Sequence, residues 1–221
     1  MKTPSATGEG INLQRPKRTG QTFGAFLIIV VVLLGGCTGL QPPREDVPTL
    51  YVLSAQPLRS VASPRREVVI EVALPRAWPG FDTAQIAYVR QPYELDYFAA
   101  SRWADTPSRM LGPLVARALE QAGSFRAVVQ MPGTVPADVR LDVEIIRLQQ
   151  NFAVHPSRAE LTLRAQLTDL RGKRVVASKV IEEVESAPSE DAAGGVAAAN
   201  EALQRALEQV AEFCVAETVA R

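Results

Sequence analysis

Apolar and polar residues alternate over much of this chain, and a period of two is typical of β-strands. The clearest short stretch is 67–75, where the apolar residues fall on one face: Val68, Ile70, Val72 and Leu74. The three longest stretches follow one another toward the C-terminus, which predicts an antiparallel meander with one face open to water. The predicted strands cover 49–54, 67–75, 85–91, 93–99, 125–130, 138–152, 159–170 and 174–185.

Two interruptions in this alternation are informative. Gln91-Pro92 separates two short strands and predicts a turn, so that 85–91 and 93–99 form a hairpin. In the longest strand the alternation slips by one residue at Ile145-Ile146, which predicts a β-bulge.

A period of 3.6 residues replaces the period of two in two places and predicts two amphipathic helices. The first begins at Thr106-Pro107, a polar cap followed by proline, and ends at Gly123. The second covers about 192–219. Leu114 and Leu207 lie centrally in the two apolar stripes, so we expect both to be buried. Together the elements predict an α+β fold, an antiparallel or mixed β-sheet covered on one face by two amphipathic helices.

The N-terminal region follows neither period. Arg15, Lys17 and Arg18 precede residues 23–36, which are fourteen residues without a charge. A basic leader, a short apolar core and a small-residue junction are typical of an export signal. A membrane-spanning helix is the competing interpretation. Fourteen residues at about 1.5 Å each reach roughly 21 Å, short of the ~30 Å hydrocarbon core, which favours the export signal.

The end of this segment, Leu34-Gly35-Gly36-Cys37, resembles the lipobox of bacterial lipoproteins, in which the cysteine sulfur is acylated and the preceding segment is removed. We therefore predict lipidation of Cys37 and three regions: a signal peptide over 1–36, an acylated tether over 37–48 and one domain over 49–221. The next residue, Thr38, is not the aspartate that typically retains lipoproteins in the inner membrane. This favours an anchor in the inner leaflet of the outer membrane, facing the periplasm.

Composition and motifs argue against several classes of function. Basic and acidic residues balance at 24 each, and no basic cluster remains beyond the leader, so we expect no nucleic-acid partner. With a single histidine, His155, and no Cys/His spacing, we expect no metal site. The sequence holds no phosphate loop, nucleophile elbow or zinc motif, and the acidic pair Glu182-Glu183 is expected to be a solvated edge. We predict that the protein is not an enzyme and holds no cofactor.

The second cysteine, Cys214, has two interpretations. It lies on the apolar face of the second predicted helix, which favours a buried thiol. A disulfide to Cys37 is the alternative in an oxidising periplasm.

Aromatic residues are concentrated in one segment. Seven of the eleven aromatics beyond the leader lie within 78–103, including both tryptophans. They are either core residues with satisfied polar ends or anchors of a contact surface. Proline and glycine around Trp78 and Phe81 disfavour regular sheet, so we expect that loop to face a partner, while Trp103, beside the helix cap, packs inward. The predicted partner-binding residues are Trp78, Phe81, Tyr93 and Tyr97.

The same segment carries a family resemblance. Residues 74–125, LPRAWPGFDTAQIAYVRQPYELDYFAASRWADTPSRMLGPLVARALEQAGSF, resemble the ABC-type transport auxiliary lipoprotein family, most strongly around Arg102-Trp103-Ala104. The likeness covers roughly 49–215. It implies a lipid-anchored periplasmic protein that works with an ABC permease, its ATPase and a mammalian-cell-entry-domain protein. Such systems move phospholipid or other apolar molecules between the two bacterial membranes.

The resemblance implies no catalytic residues, and it is compatible with a homo-oligomer. The alternative function is a structural or assembly lipoprotein that assists an outer-membrane complex. A hydrolase is a third alternative, for which the sequence offers no candidate residue.

Overall fold

The computed structural model describes residues 47–56, 64–133 and 135–219. The described strands are β1 (Thr49–Tyr51), β2 (Arg66–Val72), β3 (Arg76–Ala77), β4 (Gln85–Val89), β5 (Asp96–Trp103), β6 (Phe125–Gln130), β7 (Val139–Asn151), β8 (Arg158–Asp169) and β9 (Arg174–Ser186). The described helices are α1 (Pro107–Ala122) and α2 (Ala192–Val219). Cys37 and most of the predicted tether lie outside the described residues.

Strand β7 organises a mixed nine-stranded sheet. One of its edges pairs antiparallel with β8 from end to end, and β8 pairs antiparallel with β9. The other edge pairs in parallel with β2, β3 and β4, which follow one another along it. Strands β6 and β5 continue the sheet beyond β2 and β4, and β1 pairs in parallel with β5.

The longer predicted elements are confirmed. The meander of β7, β8 and β9, the β4–β5 hairpin and both helices are present, and the register shifts between Ile145 and Arg147 as the bulge requires. The shorter strands begin or end at other residues than the sequence predicts. β1 stops at Tyr51, β5 starts at Asp96 and continues to Trp103, and the two-residue β3 was not predicted.

One prediction for the first long strand is wrong. We expected a strand over 67–75 with Leu74 on the same face as Ile70 and Val72, but β2 ends at Val72 and Leu74 is 69% exposed. The pairing of β2 with β7 ends at Ala73, whose N–H donates to the Leu141 carbonyl at 3.0 Å, and pairing with β7 resumes only at β3. Pro75 follows and has no N–H to continue the ladder.

Both helices cover the same face of the sheet and share one core. α2 packs across β7, β8 and β9, while α1 packs against β2, β3 and β6 and contacts α2. Leu207 is buried as predicted, but Leu114 only packs against the rim of the core and is half-buried. The opposite face of the sheet is polar, with ion pairs such as that between Arg164 and Glu144, whose N and O atoms are 2.9 Å apart. One face of the sheet is covered by the helices and the other is polar. The loops at the ends of the strands are therefore the candidates for a functional site.

Candidate functional site

The loop after β3 holds Trp78 in a defined position. Its N–H donates to the Ile145 carbonyl at 2.9 Å, and its own carbonyl accepts from the N–H groups of Phe81 and Asp82 at 2.7 and 3.0 Å. Ala77 packs against the core, and because side chains alternate along a strand, Trp78 falls on the opposite side. Its side chain is 46% exposed. The backbone around it is thus fixed while the indole remains accessible.

The β4–β5 hairpin supports this loop. The Tyr97 hydroxyl donates to the Gly80 carbonyl at 3.0 Å. A side chain at Gly80 would force the Leu95 side chain to move, since a Cβ there would lie 2.9 Å from Leu95 Cδ2. Tyr97 is half-buried, so its role in the structure is to hold the loop against the hairpin.

Tyr93 lies in the turn of this hairpin and is fully exposed. Its φ of 69° is in the left-handed region, where a residue with a side chain costs roughly 1–2 kcal/mol relative to its usual conformation. Glycine or asparagine would fit that turn with less strain. A large amphipathic side chain therefore projects into solvent from the turn of the hairpin.

The remaining aromatics of this segment are internal. Trp103 is buried, as predicted. Phe81, predicted to face a partner, packs against the core instead, because the turn from Trp78 brings it back over the domain. The rings of Tyr88 and Phe98 are in contact at a tilt of 51°, with centroids 4.7 Å apart. The segment thus contains buried and half-buried aromatics together with two exposed ones, Trp78 and Tyr93.

Sequence reasoning missed two members of this aromatic group. Phe152, which follows β7, meets Tyr88 edge-on at 5.7 Å between centroids. The Arg90 guanidinium lies over the Tyr88 ring at 5.1 Å, a cation–π contact. Only the parallel pairing of β4 with the end of β7 brings Phe152 here, and no local pattern indicates that pairing.

A second polar group lies where α2 begins. Asp191 caps the helix through the Gly194 N–H, and this hydrogen bond lowers the pKa of its carboxyl. The neighbouring Glu190 accepts from the Ser157 N–H, which likewise lowers the pKa of Glu190, and it lies 3.5 Å from His155 Nδ1. Ser157 is fully buried. These contacts explain the start of the helix and offer no accessible nucleophile.

The expectation that Glu183 is a solvated edge residue is wrong. Its side chain is largely buried and accepts from Arg205 Nε at 2.7 Å and from Gln209. It faces α2 because it pairs with Leu161, which lies on the buried face of β8. Glu182, its neighbour, is exposed on the other face.

Within residues 47–56, 64–133 and 135–219, no group of three His, Cys, Asp or Glu side chains could hold a metal ion. None of the helices described is long and apolar enough to cross a membrane.

Cys214 is a buried free thiol, and burial raises its pKa to about 12.

Comparisons with known proteins agree with this architecture. Protein XCC0632 from Xanthomonas campestris, of family DUF330, is 25% identical with a TM-score of 0.72, and the alignment covers 78% of this chain and 98% of that one. A protein described only as uncharacterized is 10% identical with a TM-score of 0.61 over 76% of this chain and 99% of its own, which shows a shared fold. Among curated proteins, none matches.

A family model for the ABC-type transport auxiliary lipoprotein component matches residues 51–211. The match begins at the end of β1 and ends within α2, so it spans every strand from β2 to β9 and both exposed aromatics. The chain therefore belongs to the family of ABC-type transport auxiliary lipoprotein components.

Proposed function

We propose that this protein is a non-enzymatic accessory of an ABC transport system that moves phospholipid or other apolar molecules between the two bacterial membranes. Its partners would be a permease, its ATPase and a mammalian-cell-entry-domain protein. Cys37 would carry the acyl chains that anchor it to the inner leaflet of the outer membrane. The observation that carries this proposal is the family match over residues 51–211.

The site geometry supports a binding role. Exposed tryptophan and tyrosine are favoured anchors of protein interfaces. Trp78 is held on hydrogen-bonded backbone that loses little freedom on binding. We assign Trp78 and Tyr93 to the partner-facing surface, with Tyr97 as the residue that positions the loop and Phe81 as part of its core support.

The test is co-purification of the full-length lipoprotein with the cell-entry-domain protein. Trp78→Ala and Tyr93→Ala should fold normally and each lose roughly 2 kcal/mol of binding free energy, about a thirtyfold weaker complex. Val184→Ala, which truncates a side chain that is 51% exposed on β9, is the matched control and should bind as the unmodified chain does.

Trp103→Ala separates binding from stability. This tryptophan is buried, so its truncation should cost about 3–5 kcal/mol of unfolding free energy. If Trp78→Ala unfolds the domain as well, the exposed-anchor assignment fails. If neither exposed variant weakens a complex that the unmodified chain forms, the partner surface lies elsewhere.

A further inference from the structure

A groove of about 650 Å³ lies between the end of β2 and the first two turns of α1. This volume is within the roughly 300–1,000 Å³ that ligand pockets occupy. One part of its lining is apolar and comes from the chain after β2, from α1 and from the end of β6: Val72, Leu74, Pro75, Pro113 and Met131.

Three of these apolar residues face solvent: Leu74, Pro113 and Met131. Leu74 is 69% exposed and Met131 is 38% exposed, although they are separated by 57 residues in the chain. Methionine adapts its shape to irregular apolar ligands. Gly112 lets the helix approach the floor of the groove, since a Cβ there would lie 3.3 Å from Pro75 Cδ. The fold thus gathers exposed apolar surface into one concave site.

Four backbone groups of the groove walls cannot pair with a peptide as a neighbouring strand would. The Ala73 N–H already donates to the Leu141 carbonyl, and the Val72 carbonyl already accepts from the Met131 N–H, both at 3.0 Å. Pro75 and Pro113 have no N–H to donate. An extended peptide needs such backbone partners when it binds along a sheet, whereas a hydrocarbon chain needs none. The walls therefore favour hydrocarbon.

Polar groups lie at one end, on the first turn of α1 and the loop before β4. The Ser108 hydroxyl donates to Asp82 Oδ1 at 3.0 Å, and the Thr106 hydroxyl lies 3.1 Å from that of Ser108. Arg109 also lines this end, and its exposed guanidinium reaches Asp105 only at 3.7 Å. One carboxylate, one guanidinium and two hydroxyls match the mixed charge of a zwitterionic head group, while the apolar part matches its hydrocarbon.

We propose that this groove binds an acyl chain of a phospholipid, with the phosphate-containing head group beside Arg109. This inference rests on the proposed function. It adds a binding site on this chain for the phospholipid. Neither Trp78 nor Tyr93 is among the residues that line this groove.

The experiment places a photoreactive phenylalanine derivative at position 74, 131 or 184 of the full-length lipoprotein in cells grown with ³²P-phosphate. After irradiation and purification, radioactivity on the protein reports phospholipid crosslinking. The label excludes the protein's own acyl chains, which carry no phosphate. Position 184, on β9, is the control for exposed apolar surface outside the groove.

We expect labelling from positions 74 and 131 and none from 184. Adding Met131→Gln to the chain labelled at position 74 should reduce crosslinking roughly tenfold, the effect of losing one apolar side chain from the site, while adding Val184→Gln should leave it unchanged. Equal labelling from 184, or crosslinking of 74 and 131 to protein instead of lipid, would overturn the proposal. If neither groove position is labelled while the unmodified chain still co-purifies with the cell-entry-domain protein, the groove inference fails and the proposed function stands.

Discussion

At the scale of single residues, Gly195 shows how tightly α2 meets the sheet. It lies in the first turn of the helix over Gln150, and a Cβ at this position would overlap the Gln150 side-chain oxygen. Gln150 cannot move freely, because it is buried and its Nε2 donates to the Ser157 hydroxyl at 2.9 Å. Gly195→Ala should therefore destabilise the protein by about 1–3 kcal/mol despite the higher helix propensity of alanine.

Urea unfolding of the full chain measures this effect. Gly112→Ala makes the same change in α1, where the nearest contact is 3.3 Å from Pro75 Cδ, and should cost less. Equal stability of Gly195→Ala and the unmodified chain would show that the helix can shift away from Gln150.

The Cys214 thiol predicts a dependence of stability on pH. Burial raises its pKa from 9.0 to about 12, so the folded state binds a proton that the unfolded state releases. Its contribution to stability is complete below pH 9 and is lost as the pH rises toward 12. We expect the folded protein to resist thiol reagents at pH 8 and to lose stability above pH 9, with Cys214→Ala losing less over that range. Rapid modification of the folded chain at pH 8 would contradict burial of the thiol.

At the scale of elements, ion pairs join α2 to β9, the last strand of the meander. Arg205 contacts Glu183 and Glu185 at 2.7 and 2.8 Å, and its pKa is raised, first by the hydrogen bond to Glu183. Arg205 is partly exposed, so solvent screening reduces the value of the pair. Arg205→Ala should cost about 1 kcal/mol. Hydrogen exchange of β9 should rise more than that of β7; unchanged exchange in β9 would show that α2 is held by its apolar face alone.

The central leucines of the two helices should contribute differently to the free energy of unfolding. Leu207 is buried against the sheet, and its truncation to alanine should cost about 2–5 kcal/mol. Leu114 only packs at the rim of the core, so Leu114→Ala should cost clearly less. Thermal melting of both variants checks this order, and the reverse order would mean that α1 carries the main core contact.

Sequence pattern predicts an element well when that element is long and one-sided. β7, β8 and β9 are each at least twelve residues long and alternate over most of that length, so their faces and order follow from the chain itself. The parallel pairs that β7 makes with β2, β3 and β4 join segments far apart in sequence, and nothing local encodes them. β3 has two residues and therefore no period. Leu74 was misassigned for a related reason, since alternation continues past the residue where the hydrogen-bond ladder stops.

Only part of the candidate site was predictable from the sequence. Clustered aromatics in the sequence located the region, and proline and glycine indicated the Trp78 loop. The turn that returns Phe81 to the core depends on hydrogen bonds to the Trp78 carbonyl, and the groove depends on Leu74 and Met131 meeting through β2 and β6. Both are consequences of tertiary contacts, which composition and spacing do not contain.

At the scale of the whole molecule, the covalent state of the two cysteines decides how the domain is attached to a membrane. If Cys37 is acylated on sulfur, only Cys214 can react with a thiol reagent after unfolding. We expect the purified mature chain, unfolded in guanidinium, to titrate one thiol, and Cys214→Ala to titrate none. Two thiols would mean an unmodified Cys37, and no thiol before reduction but two afterwards would mean a disulfide between them. Either result would remove the anchor from the proposed function. Cys37→Ala completes the test, because without the acceptor sulfur the chain should accumulate as an uncleaved precursor lacking acyl mass and should no longer fractionate with the outer membrane.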